Sequence, residues 1–159
     1  MGQFEIRRDK LRRRLTRAGA DALLVTDFTN VTYLTGFTGD DSFLLVRRDG
    51  DTLLSDGRYT TQIEQECPGL DVVIRGPKVR LVDAVARLVR SAGVGRLAFE
   101  ADSLTVGQCD QFREKLPKVA FLSTSGLVAE LRIRKDRDEV TRISRAIRCA
   151  EEAFSAVCR

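Results

Sequence analysis

Among 159 residues there is no histidine. That absence excludes a Ser-His or Cys-His nucleophile pair and any metal site built on imidazole. Carboxylate, lysine, tyrosine or thiol chemistry is what remains. Cysteine is scarce too: Cys67, Cys109, Cys149 and Cys158 are too scattered for a disulfide framework. No two stand at C-x-x-C spacing, so a structural zinc is not expected. They read as free thiols, buried or tolerated. Long apolar runs are also missing. Nothing approaches the roughly 20 residues of a membrane span, and the basic start has no apolar signal-peptide core. Met1-Gly2 does not continue into a myristoylation signal, because Ile6 stands where Ser or Thr is wanted. The expected location is cytoplasmic.

What is present describes a folded domain. Apolar residues make up 43% and charged residues 31%, ordinary values for a globular protein. A chain of this size buries about 68–70% of its unfolded surface and needs no staples. The net charge of +4 is unevenly placed, with Arg7, Arg8, Lys10, Arg12, Arg13, Arg14 and Arg17 crowding one early segment. A nucleic-acid footprint is one reading. Only Phe4 could stack on a base there, so the favoured reading is a solvated helix face.

The chain is organised around Asn30-Val31-Thr32-Tyr33-Leu34-Thr35-Gly36-Phe37-Thr38-Gly39. Asn30 suits an N-cap and Gly36 a left-handed C-terminal position, with little more than one helical turn between them. A polar loop then runs from Gly36 to Ser42. Its one aromatic, Phe37, is either a plug on the domain's own core or a surface group awaiting a partner. Around this stretch, strand and helix patterns alternate. Residues 4–18 read as a helix closed by Gly19, and Ala22–Val25 as a buried strand. Phe43–Arg47 and Thr52–Ser55 form a hairpin through Asp49-Gly50. Then come a helix from Tyr59 to Cys67, a strand Asp71–Ile74, and a helix over 79–92 facing inward with Leu81, Val85, Leu88 and Ala92. A strand Leu97–Phe99, a helix over 105–116 and a strand Val119–Leu122 complete the series. The alternation predicts a three-layer α/β/α domain with a mixed, mostly parallel six-stranded sheet. From Asp136 and Glu139, a capping-box-like start, a long helix carries Val140, Ile143, Ile147, Ala150, Phe154 and Val157 at heptad-like spacing.

Carboxylates lie near strand ends: Asp27, Asp56, and Glu100 with Asp102. They permit a metal-dependent nuclease reading, against a bland one in which Asp27 and Asp102 cap or turn the chain. In Asp56-Gly57-Arg58-Tyr59 the structural reading is preferred: Asp56 caps the next helix, Tyr59 packs inward, and Arg58 pairs with a carboxylate.

Tyr33-Leu34-Thr35-Gly36-Phe37, then Asp56-Gly57-Arg58-Tyr59, then Leu131 to Asp136 with Glu139, resemble the amino-terminal domain of the prolidase, aminopeptidase P and creatinase family. The three matches keep the family's order and span most of the chain. The resemblance implies a ribonuclease H-like architecture, with residues 1–126 as the α/β domain and 127–159 as a connection plus the first helix of a catalytic domain absent from this sequence. It implies no catalytic residue and no metal here. Two divalent metals, manganese or cobalt, would belong to that catalytic domain, and a proline-containing peptide would be the substrate. Homodimer assembly is implied as well, with a loop lent to an active site through Phe37, Asp40 and Asp41. Asn30, Tyr33, Gly36, Asp56, Arg58 and Tyr59 are the structural motif. Neither membrane nor nucleic-acid partners are expected on this reading. A stand-alone binding module of the same fold is the alternative.

Overall fold

A computed structural model describes residues 2–158. Six strands form one sheet: β1 (Ala22–Val25), β2 (Phe43–Arg47), β3 (Asp51–Asp56), β4 (Asp71–Arg75), β5 (Arg96–Glu100) and β6 (Ala120–Thr124). Their order is β4-β3-β2-β1-β5-β6. Only β2 runs against the rest: it pairs antiparallel with β1 and β3, whereas β3–β4, β1–β5 and β5–β6 are parallel. The mixed, mostly parallel sheet expected from the alternating pattern is the one observed.

Side-chain alternation along the strands divides the interior into two cores. Leu24, Leu45, Leu54, Leu97 and Phe99 face α4 (Leu81–Ser91) and α5 (Val106–Lys115). Leu23, Val25, Leu44, Val46, Leu53 and Ala98 face α1 (Gln3–Ala18), α2 (Phe28–Thr35) and α3 (Thr60–Glu66). Fully burying one Val or Leu is worth about 1.5–3 kcal/mol, so two such faces bind helices firmly to both sides of the sheet.

Several local expectations shift. Helix α2 starts earlier than Asn30, because Asp27 is the N-cap and its carboxylate accepts from the Asn30 N–H at 2.8 Å. Asn30 is instead a buried residue inside the helix. Gly36 does close α2, at φ +84°. Helix α4 is rotated from the expected face: Val82, Val85, Ala86 and Val89 are buried, while Leu81 and Leu88 are only partly covered. The arginines of α1 are a solvated face only in part. Arg8 Nε and Arg12 Nη2 converge on Asp51 at 2.6 and 2.5 Å. Arg7 is buried and Arg14 pairs with Glu130. Exposed cations on this helix are Lys10, Arg13 and Arg17.

Residues 127–135 include a short helix, α6 (Ala129–Ile133). The long helix α7 (Arg137–Val157) begins at the expected capping box, with reciprocal 2.9 Å bonds between Asp136 and Glu139. None of its residues is buried. No helix among the described residues is long and apolar enough to cross a membrane.

Candidate functional site

Because β2 alone is reversed, the carboxyl ends of β1, β3, β4, β5 and β6 share one edge of the sheet. Asp27 and Asp56 both lie at this edge. The loop from Gly36 to Ser42 enters β2 at that same edge and lies beside the ends of β3 and β4.

Phe37 is the root of this loop. Its ring is 0% exposed and stands edge-on to Tyr59, with centroids 5.6 Å apart and planes at 88°, a favourable aromatic geometry. Of the two alternatives for Phe37, the plug is what the structure shows. Gly39 closes over the pair, since a Cβ there would come within 2.7 Å of the Tyr59 ring and would also strike the Phe37 ring. The Thr38 N–H and hydroxyl each donate to Glu66 at 2.7 Å, fastening the loop to α3. Burial pushes the Glu66 carboxyl up, but these donors, with the Gln62 amide, outweigh it and hold it below its ordinary value.

Beyond that root the loop turns polar. Asp40 accepts from the Tyr59 hydroxyl, and this bond, more than burial, raises the Tyr59 phenol above its ordinary pKa. Asp41 sits at φ +51°. Its carboxylate accepts from Arg58 Nη2 at 2.9 Å and Arg75 Nη2 at 2.7 Å. The same two guanidinium nitrogens reach Asp56 Oδ2 at 2.7 and 3.0 Å. Two arginines thus each bridge two aspartates in a closed ring. Asp56 also accepts from the Arg58 N–H at 2.9 Å, capping a 3-10 turn over Gly57–Tyr59. Hydrogen bonds from Arg58 hold Asp56 well below the carboxylate range, and Asp56 in return raises Arg58.

Arg75 was not among the residues singled out from the sequence. Its clue is the parallel register, which sets Asp56 opposite Arg75 at the last rung of β3 and β4.

At the other end of the edge, β1 leads to α2 on one face and β5 to α5 on the other, the kind of switch point where α/β sheets bind ligands. A cavity of about 180 Å³ lies there, bordered by Asp27, Asn30, Glu100, Asp102 and Arg132. Glu100 is buried and accepts from the Thr26 and Asp27 N–H groups at 2.8 and 2.9 Å and from Asn30 Nδ2 at 2.7 Å. Burial raises its carboxyl despite these donors. Asp27 caps α2, and Asp102 accepts from the Ser125 hydroxyl at 2.6 Å. These carboxylates are engaged by the protein's own donors. Among the described residues no group of three or more His, Cys, Asp or Glu is placed to hold a metal.

Tyr33 belongs to a neighbouring cluster, joined to this edge through Asn30 and Arg132. Arg7 lies over the Tyr33 ring at 4.1 Å, the Tyr33 hydroxyl donates to the Leu131 carbonyl at 3.2 Å, and Arg132 donates to Asn30 Oδ1 at 3.0 Å. Phe4 packs where a Cβ on Gly36 would be, 2.6 Å away, so this position needs glycine for space as well as for its positive φ.

The three sequence motifs therefore build two adjoining clusters on one scaffold. Residues 7–134 match the model of the creatinase/prolidase N-terminal domain. The chain belongs to this family. The creatinase/prolidase domain seen here is similar to a Bacillus anthracis Xaa-Pro dipeptidase, at 28% identity and TM-score 0.90, over 97% of this chain and 42% of that one. It is similar to the N-terminal domain of the cytoplasmic peptidase PepQ from Mycobacterium tuberculosis, at 36% identity and TM-score 0.73, over 79% of this chain and 98% of that one. It is also 31% identical over 146 residues to the uncharacterized peptidase YqhT of Bacillus subtilis. The chain spans about two fifths of the length of that curated relative, 41%.

Proposed function

We propose that this chain is the non-catalytic amino-terminal domain of a cytoplasmic, metal-dependent Xaa-Pro peptidase and works beside a catalytic domain that follows it. The observation that carries this reading is the superposition on the dipeptidase. Coverage of 97% of this chain at TM-score 0.90 leaves too few residues outside to omit α7, which supports a comparable place for this helix in a longer enzyme. On this reading residues 1–126 are the α/β domain, and 127–159 are the connection and the first helix of the catalytic half. The catalytic domain would cover part of the apolar seam of α7.

The substrate would be a peptide cleaved before proline. Two divalent metals, manganese or cobalt, supply an activated water and polarise the carbonyl in such chemistry. The residues of this chain do not fit that pair: histidine is absent, and the edge carboxylates are taken up by arginines, a hydroxyl and backbone N–H groups. No catalytic step is assigned to this chain.

Its role is instead to preset a loop. Phe37 anchors the loop inside the domain, while Tyr59, Arg58 and Arg75 fix Asp40 and Asp41 at the surface. In a homodimer these aspartates would border an active site, that of the neighbouring subunit included, and help to cap it over substrate. The purified chain, given an Xaa-Pro dipeptide with manganese or cobalt, should show no turnover. The protein carrying it ahead of a catalytic domain should hydrolyse the peptide, with Asp40→Ala raising KM or lowering kcat. Metal-dependent turnover by the chain alone would overturn the reading.

A further inference from the structure

The direction of α7 is a mechanical question. The helix has 21 residues, none buried, so no packed face within the chain itself fixes how it leaves the domain. Its length is about 31 Å at 1.5 Å per residue, and a tilt of about 10° at its base would move its tip by about 5 Å.

Among the described residues, the ion pairs at its base come from one side chain at the far end of the sequence. Arg7 has a side chain only 9% exposed. Its Nη2 reaches Asp136 Oδ2 at 2.5 Å and Glu139 Oε1 at 3.1 Å. Those are the two carboxylates of the α7 capping box. Its Nη1 donates to the Tyr33 carbonyl at 3.0 Å, while the guanidinium lies over the Tyr33 ring at 4.1 Å and near the Phe4 ring at 5.5 Å. Arg7 is thus fixed by α1 and α2 and in turn grips the first turn of α7. A planar guanidinium with several directed donors sets orientation where a lysine would supply only charge.

We propose that Arg7 is a positioning residue that sets the angle at which α7 leaves the domain, by holding both capping-box carboxylates against Tyr33. Arg7, Tyr33, Asp136 and Glu139 all lie within this chain, so the joint stands apart from the peptidase reading. If a catalytic domain is built onto α7, the same joint aims that domain. A displacement of about 1 Å far from the chemistry can cost roughly 100-fold in rate, so the lever matters.

The test measures the angle directly, as a distance between two spin labels in the full chain. Cys149 is exposed and takes one label; Cys67 and Cys109 are buried. Cys158→Ser removes the other exposed thiol, and Glu114→Cys, at an exposed position of α5, takes the second label. Labelled chain is diluted into unlabelled chain so that only distances within one molecule are read. One narrow distribution is expected. Asp136→Ser combined with Glu139→Gln keeps an S-x-x-Q capping box but removes both carboxylates from Arg7, and should broaden the distribution at least about twofold with helix content unchanged by circular dichroism. Arg7→Met should broaden it similarly, with Arg7→Lys between. An unchanged width in the capping-box variant overturns the proposal, whatever Arg7→Met does to folding. Broadening that comes with loss of helix also counts against it, because fraying would then be the cause.

Discussion

Truncating Phe37 to alanine empties a site closed to solvent on every side. The ring is 0% exposed, edge-on to Tyr59, and roofed by Gly39. Gly39 carries no side chain that could swing into the space, and the loop is fastened to α3 by the paired Thr38–Glu66 bonds. The site therefore has little means of collapsing, which places the cost toward the upper part of the usual range for Phe→Ala, about 3–5 kcal/mol. Of that, about 0.5–1.5 kcal/mol belongs to the aromatic pair. At roughly 2–4 °C per kcal/mol for a domain of this size, Tm should fall by about 6–20 °C. Thermal and urea unfolding of the chain, followed by circular dichroism, measure this, with an unchanged urea slope required for a clean comparison. Tyr59→Phe is the control. It retains the ring pair, loses the bond to Asp40, and should cost no more than about 1 kcal/mol. A loss below about 1 kcal/mol for Phe37→Ala would refute the reasoning, since no fully packed aromatic is removed that cheaply.

Gly39→Ala should destabilise the chain by about 1–3 kcal/mol, because a methyl group there must push the Phe37 and Tyr59 rings apart; urea unfolding checks it. Asp56 has its pKa lowered from an ordinary 3.8, so its contribution is present above that value and is lost as pH falls through the lower folded value. The stability gap between the native chain and Asp56→Asn should therefore narrow on acidification between about pH 5 and pH 2, and a gap that widens would contradict the ring as described. The seam of α7 leaves Ile147 52% and Phe154 71% exposed, and a self-complementary stripe suits a two-fold contact. Light scattering should give a dimer for the full chain and a monomer for a version ending at Arg134. A monomeric full chain excludes that pairing, and equal dimers in both versions would move it to the α/β domain.

Much of the scaffold was legible because it depends on local pattern. Leu23-Leu24-Val25 and Leu44-Leu45-Val46 are apolar on both faces, as strands covered by helices on either side must be. Asp136 and Glu139 announce a helix start by spacing alone. Thr105 and Gln108 form the same kind of box, and the S/T-x-x-E/Q pattern was there to be found. The misreadings involve competition that only the tertiary structure resolves. Asn30 makes a good cap, but Asp27 lies one turn earlier and Glu100 takes the Asn30 amide into the interior. The arginines of α1 look solvated until Asp51, far along the chain, draws two of them inward. In α4 the buried face is carried by Val82, Val85, Ala86 and Val89, and Leu81 and Leu88 are turned partly away from it. The ring around Asp41 depends on Arg75, which no spacing rule connects to that loop.

The reversed strand also bears on how the chain is made. Leu24 faces Leu45 across one edge of β1 and Phe99 across the other. The first pairing closes through a short stretch; the second must wait until β5 has been synthesised and the intervening helices have been accommodated. Non-local pairings form late, so the meander of β1, β2 and β3 should assemble first and leave Leu23, Leu24 and Val25 with one bare edge in the meantime. A bare, uncharged edge pairs readily with the wrong strand. Yield of soluble chain should therefore respond to translation speed and to chaperones more than final stability would suggest. Pulsed hydrogen exchange during refolding would display the interval, as amides over 43–56 protected before those over 97–99; simultaneous protection would remove it.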